Sequence, residues 1–183
     1  MVAGLLLAAG AGRRMGRPKA LVRDESGRPW LLRGIEVLRK GGCDTVTVVL
    51  GAAADEARAL LAGQDVTVVV ADDWDEGMGA SLRAGLAALG PEVDAALVSL
   101  VDLTDLSGDV VARVLQADVD DRTLRRAAYD GVPGHPVVIG RGHWPGVAAS
   151  ASGDKGARDY LAREAVTLVE CGDLATGRDR DTP

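Results

Sequence analysis

Residues 5–21, LLLAAGAGRRMGRPKAL, end an apolar run in Gly10, Gly12 and Gly16 and set Arg13, Arg14, Arg17 and Lys19 among and after those glycines. Each residue type has a use at that spacing. Glycines let the main chain come close to an anion and turn its N–H groups inward as donors. Arginine grips phosphate oxygens two at a time, and lysine supplies a compact positive charge. The stretch therefore implies an anionic ligand seated on a loop.

Such a loop needs rigid elements on either side. Apolar runs suited to buried strands occur at 3–8, 45–50, 66–70, 95–100, 135–139 and 166–169, several of them rich in valine. Valine-rich continuous runs suit a sheet covered on both faces. Between them Leu31, Ile35 and Leu38 recur at helical spacing, as do Leu82, Leu86 and Leu89. Val110, Val111, Val114 and Leu115, and Ala57 with Leu60 and Leu61, repeat a shorter version, and Ser107 is placed to cap the helix that begins after it. Strand–helix alternation predicts an α/β chain: a single-domain, Rossmann-like, three-layer α/β/α fold on a mostly parallel sheet, spanning 1–183. In such sheets ligands bind beyond the carboxyl ends of the strands, where the glycine loop falls. The most polar internal stretch, ADVDDRTLRRAAYDGVPG, reads as an excursion over one face.

Totals narrow the function. The chain has 183 residues, close to one domain at ~150 residues each. Its net charge of −6 argues against general nucleic-acid binding and makes the cationic loop conspicuous. Aromatics are 3% with no phenylalanine, too few for base-stacking platforms. Two histidines, His135 and His143, exclude a zinc site built on three. Cys43 and Cys171 lack CxxC spacing and read as buried thiols of a reducing compartment. No segment reaches the ~18 apolar residues of a membrane helix and the N-terminus lacks a basic n-region, so a cytoplasmic location is expected.

Three phosphate-loop templates can be set on the opening stretch. GxxxxGK[ST] fails, because Pro18 precedes Lys19. GxGxxG fails by one residue, since Gly10, Gly12 and Gly16 give GxGxxxG, and the second strand ends without an acidic residue for a ribose. LAAGxGxRMGxxK fits at Leu7, Ala8, Ala9, Gly10, Gly12, Arg14, Met15, Gly16 and Lys19. On that motif the chain resembles the MobA-like NTP transferase family, which includes molybdenum cofactor cytidylyl- and guanylyltransferases. EGMGASLRAGL, LVSLVDLTDL, GVPGHPVVIG, SGDKGAR and DRDTP follow in the family's order along nearly the whole chain.

The resemblance implies a reaction: a nucleoside triphosphate joins a phosphorylated small-molecule acceptor and pyrophosphate leaves. Positioning and positive charge are most of what that chemistry needs. Arg14 and Lys19 are implied as the catalytic cations, and the backbone of Leu7, Ala8, Ala9, Gly10 and Gly12 as the nucleotide cradle. Gly79 is implied to let the chain pass the base, and Ser81 to contact it. Mg²⁺ is the implied cofactor, held by Asp102 and by Asp181, with Asp179 an equal candidate for the second ligand. LAAG in place of LAGG, together with GMGASLRAGL, points to CTP, and the best specific match is the molybdenum cofactor cytidylyltransferase branch. Two departures bear on the acceptor and the chain end. The usual Gly-Asp-Met-Pro is Val101-Asp102-Leu103-Thr104 here, and the helix that usually follows DTP is missing, so the chain is either trimmed or lacks it.

Plainer roles compete at several positions. Asp102 competes with Asp105 and Ser107 for helix capping, and those two are better placed for it. Ser81 doubles as a helix N-terminal residue and His135 as a satisfied core polar group. Arg13, Arg17, Arg122, Arg125 and Arg126 read as solvated charges, and Trp30, Trp74 and Trp144 as packing residues. A guanylyltransferase, a non-catalytic nucleotide-binding protein and a nicotinamide dehydrogenase remain as alternatives, the last disfavoured by glycine spacing.

Overall fold

In the computed structural model, residues 1–180 are described here. Seven strands form one sheet: β1 (Val2–Leu7), β2 (Thr45–Leu50), β3 (Thr67–Val70), β4 (Ala95–Leu100), β5 (Leu124–Tyr129), β6 (Val132–Gly140) and β7 (Thr167–Glu170). Their order is β3-β2-β1-β4-β6-β5-β7. β1 to β4 pair in parallel, β6 runs antiparallel to both β4 and β5, and β7 is again parallel to β5.

Six α-helices cover the sheet: α1 (Trp30–Lys40), α2 (Ala54–Leu60), α3 (Met78–Ala87), α4 (Gly108–Leu115), α5 (Trp144–Ser150) and α6 (Arg158–Leu161). Side-chain alternation along β1 sorts the core into two layers. Leu6 and Ala8 join Leu31, Ile35 and Leu38 of α1 and Val110, Val111 and Val114 of α4 on one face. Ala3, Leu5 and Leu7 join Leu82 and Leu86 of α3 and Trp144 and Val147 of α5 on the other. The expected three-layer α/β/α architecture is present. Ser107 caps α4 as expected, its hydroxyl accepting from the Val110 N–H at 3.4 Å.

The polar excursion is where the structure departs from expectation. Residues 124–129 are a strand, and Asp130 and Gly131, both at positive φ (51° and 77°), close a hairpin onto β6. Adjacent left-handed residues are what a tight hairpin turn requires, and Asp-Gly supplies them at low cost. Arg125 and Arg126 disguised the strand. Arg125 donates to the Val114 carbonyl at 2.8 Å, serving the C-terminal end of α4, so it is not a solvated charge.

Candidate functional site

The chain order of the sheet reverses beside β1, with β2 and β3 to one side and β4 to the other. A crevice opens at such a point, beyond the strand ends. The loop after β1 and the loop after β4 meet there. Val101 N–H donates to the Leu7 carbonyl at 3.1 Å, which locks the second loop to the first. Ala52 N–H donates to the Ala9 carbonyl at 3.0 Å, and Lys19 N–H to the Gly10 carbonyl at 3.1 Å, so the glycine loop closes on itself.

A cavity of about 350 Å³ lies against this loop. Leu7, Ala8, Ala9, Gly10, Gly12 and Lys19 line it, with Ser81 and Asp102. The amide N–H groups of Gly10, Ala11, Gly12 and Arg13 donate to no acceptor among the described residues. Four consecutive donors left open beside a cavity are what an anion cradle requires. Lys19 reaches across to pair with Asp102, whose side chain is 7% exposed. The lysine places one cation between the cradle and the carboxylate.

The structure brings together most of the sequence-predicted residues, with exceptions. Arg14 is exposed on the same loop and does not line the cavity, whereas Arg13, read as a solvent charge, does. Trp74, read as packing, also lines it. Ser81 is buried within α3 and lines the cavity. Gly79 does not line the cavity. A Cβ there would stand 2.7 Å from the Ser152 nitrogen, so the glycine is needed to seat α3 against the turn at 151–152. Asp105 does not cap α4. Its Oδ2 accepts from Thr176 N–H and Oγ, each at 2.6 Å, and ties the C-terminal segment to the β4 loop. Arg180 N–H then donates to the Asp102 carbonyl at 3.1 Å. Asp181 lies outside the described residues.

A second cavity of about 530 Å³ adjoins the first, sharing Leu7, Met78, Leu100 and Asp154 as walls. Asp179, Arg126 and His135 line it. Arg126 is thus no solvated charge, and His135 is no satisfied core group: its ring makes no hydrogen bond among the described residues. Burial, aided by the nearby Arg126 cation, pushes its pKa down to about 4, so the imidazole is neutral at physiological pH. Asp154, placed between the cavities by the turn in SGDKGAR, escaped the sequence reading. The signal was there, an acid between glycines at 153 and 156, but its side chain had no assigned role. Cys43 and Cys171 are buried free thiols, as expected, and burial raises the Cys43 pKa to about 12. No helix of the described residues is long and apolar enough to cross a membrane.

Comparison with known proteins agrees with this geometry. Residues 4–168 match the model of the MobA-like NTP transferase domain. A protein named nicotine blue oxidoreductase, from Paenarthrobacter nicotinovorans, is 42% identical over 99% of this chain and 92% of its own length. Among solved structures, Rv0371c from Mycobacterium tuberculosis H37Rv superposes with a TM-score of 0.82 at 28% identity, covering 99% of this chain and 93% of that one. Rv0371c has also been solved in complex with manganese, matching at 26% identity and a TM-score of 0.78 over 98% and 93% of the two chains. A nucleotidyl transferase from Methanothermobacter thermautotroptrophicus matches at 25% identity and a TM-score of 0.77, over 93% and 87%. The chain belongs to the MobA-like NTP transferase family and is an enzyme of the nucleotidyltransferase type.

Proposed function

We propose that this member of the MobA-like NTP transferase family transfers a nucleoside monophosphate, CMP in preference to others, from a triphosphate to a phosphorylated small molecule, with a molybdenum cofactor as the first acceptor to try. The observation that carries the reading is the row of four open amides that lines a 350 Å³ cavity together with Lys19. A row of donors beside one cation suits a polyphosphate chain.

In the reaction an oxygen of the acceptor phosphate attacks the α-phosphorus. A new P–O bond forms, the bond to the bridging oxygen of the β-phosphate breaks, and pyrophosphate departs with that electron pair. The attacking oxygen is already anionic, so no general base is needed. The residues' task is to hold three mutually repelling anions in line. Lys19 neutralises charge as it moves onto the leaving pyrophosphate. The open amides fix the triphosphate without reorganising. Ser81 meets the base edge, its hydroxyl able to donate or accept.

The donor set fits a hard divalent cation. Mg²⁺ keeps most of its waters and takes one or two carboxylates plus phosphate oxygens, and Asp102 offers a buried carboxylate at the mouth of β4. Asp102 would hold it, with Asp179 or Asp181 as second ligand, and its charge would screen the phosphates from one another. The manganese complex of Rv0371c supports that choice of ion.

The test is pyrophosphate release with each of the four NTPs and Mg²⁺, with and without molybdopterin. Acceptor-dependent release with CTP is the expected result, and GTP preference would overturn the base assignment. A second reading draws on the 42% identity to nicotine blue oxidoreductase. On this reading the residues of the first cavity would hold a reduced nicotinamide dinucleotide, which would supply hydride, and those of the second would hold an oxidised aromatic acceptor. Acceptor-dependent loss of reduced-nicotinamide absorbance, with no pyrophosphate from any NTP, would select it.

A further inference from the structure

The second cavity has a chemical character of its own. Arg126, on β5, is half-buried, and its guanidinium donates through Nε to the Gly134 carbonyl at 3.0 Å. Arg158 opens α6 and lines the same cavity. Neither guanidinium has a carboxylate partner among the described residues. Asp154 and Asp179 line the cavity too, yet no ion pair joins either to these arginines. Lys155, by contrast, is engaged by Asp159 at 3.1 Å. The two arginines are near enough for the charge of Arg158 to lower the pKa of Arg126, after burial, which is the larger cause. A half-buried guanidinium beside a second, exposed one, with no counter-ion among the described residues, costs free energy in the protein. An anion between them would recover it. Leu82, Leu103, Ile139 and Leu161 give the cavity an apolar stretch of wall beside its charged residues, and the neutral His135 ring adds an uncommitted N–H.

We propose that Arg126 and Arg158 form a phosphate clamp that holds the second substrate by a dianionic monoester while the apolar wall takes a ring-sized body. The assignment rests on the two-substrate reading above. Paired guanidiniums match a dianion better than a monoanion, because each can place a fork of donors on separate oxygens. The clamp is consequently selective for phosphate over carboxylate.

Phenyl phosphate and benzoate are the probes, titrated by NMR into the wild type, Arg126→Gln, Arg158→Gln and, as a charge control, the exposed Arg122→Gln. Thermal melts check that each variant folds. Because Arg158 is exposed, its variant keeps the test alive should Arg126→Gln prove unstable. Phenyl phosphate is expected to bind wild type at least tenfold more tightly than benzoate and to weaken at least tenfold in either clamp variant, with Arg122→Gln unchanged. Equal binding of the two probes, no effect of the clamp substitutions, or loss of the probe in Lys19→Ala instead, would overturn the clamp. Failure of every NTP to release pyrophosphate while the phenyl phosphate pattern holds would sink the transferase reading and leave the clamp standing.

Discussion

Replacing Gly12 by alanine tests whether the glycine loop is shaped by its own backbone or only by its ligand. Gly12 sits at φ +59°, and a Cβ there would stand 2.0 Å from the Arg17 carbonyl oxygen and 3.3 Å from the Lys19 nitrogen. Ordinary contact begins at 3.4 Å, so residues 17–19 must retreat by roughly 1.4 Å, a shift on the order of those that cost 10²-fold in rate at reacting centres. Left-handed alanine costs ~1–2 kcal/mol and the strained Lys19–Gly10 backbone bond ~1 kcal/mol more. The sum of ~2–3 kcal/mol predicts a melting temperature lower by roughly 4–12 °C for a chain of this size. Gly16 is the internal control: it is also left-handed, at φ +72°, but a Cβ there meets nothing within 4 Å. Gly16→Ala should lose ~1–2 kcal/mol of stability and change kcat/KM by about threefold at most. Gly10→Ala separates the remaining cause, since its Cβ would meet only the Lys19 side chain at 3.9 Å. It should melt like wild type and yet lose nucleotide affinity, because only a ligand needs that space. Calorimetric NTP titration and thermal melts on the three variants decide the matter. Wild-type melting and affinity in Gly12→Ala would refute the steric argument, and wild-type affinity in Gly10→Ala would refute the cradle.

Three further outcomes are expected. Lys19→Ala should lower pyrophosphate release by ~10²–10³-fold, as loss of one preorganised charge does elsewhere, with near-normal circular dichroism; unchanged release would remove lysine from the chemistry. Asp102→Asn should abolish the divalent-cation dependence of CTP binding in calorimetry with and without chelator, and retained dependence would move the ligand to another carboxylate. His135 has a pKa held at about 4 in the folded chain, against an ordinary value near ~6.5, so the unfolded chain binds more protons between those values. Its contribution to stability is complete above about pH 6.5 and falls away as pH drops to about 4; urea melts across that window should show a slope, up to ~3 kcal/mol in total, that is absent in His135→Gln.

The first half of the molecule was legible because its strands are mainly apolar and carry no charged residue. β2 and β4 were read with the boundaries the structure gives them, since their only polar members are the small Thr45, Thr47 and Ser99, and charged residues or glycine lie just outside. β5 was invisible for the opposite reason. Its two arginines carry long stems and lie partly buried, one serving a helix end and one a cavity, while the sequence shows only two charges. Missing β5 also hid the hairpin, and with it the reversed direction of β6. Asp102 and the cradle glycines could be placed because they follow strands directly. Asp154 and Arg158 could not, because they reach the site from a short irregular turn and a four-residue helix whose position depends on contacts with α3 and α5. Gly79 was read as room for a base when its neighbour is a protein backbone, a distinction that no spacing rule encodes.

The reversal of β6 carries a consequence for how such a protein changes over generations. Because β6 runs against β4, its beginning and the tip of the β5–β6 hairpin arrive at the ligand edge of the sheet, on the far side of β4 from the glycine loop. The glycine loop comes before Asp102 in the chain, whereas Arg126 and His135 come after it, although Leu7, Met78, Leu100 and Asp154 wall both cavities. On the proposed two-substrate reading, a substitution at Arg126 or His135 redirects what is modified and leaves the glycine loop that holds what is consumed untouched. The same inherited front end can therefore be kept while the back end is retuned, and closely similar chains can come to serve different small molecules.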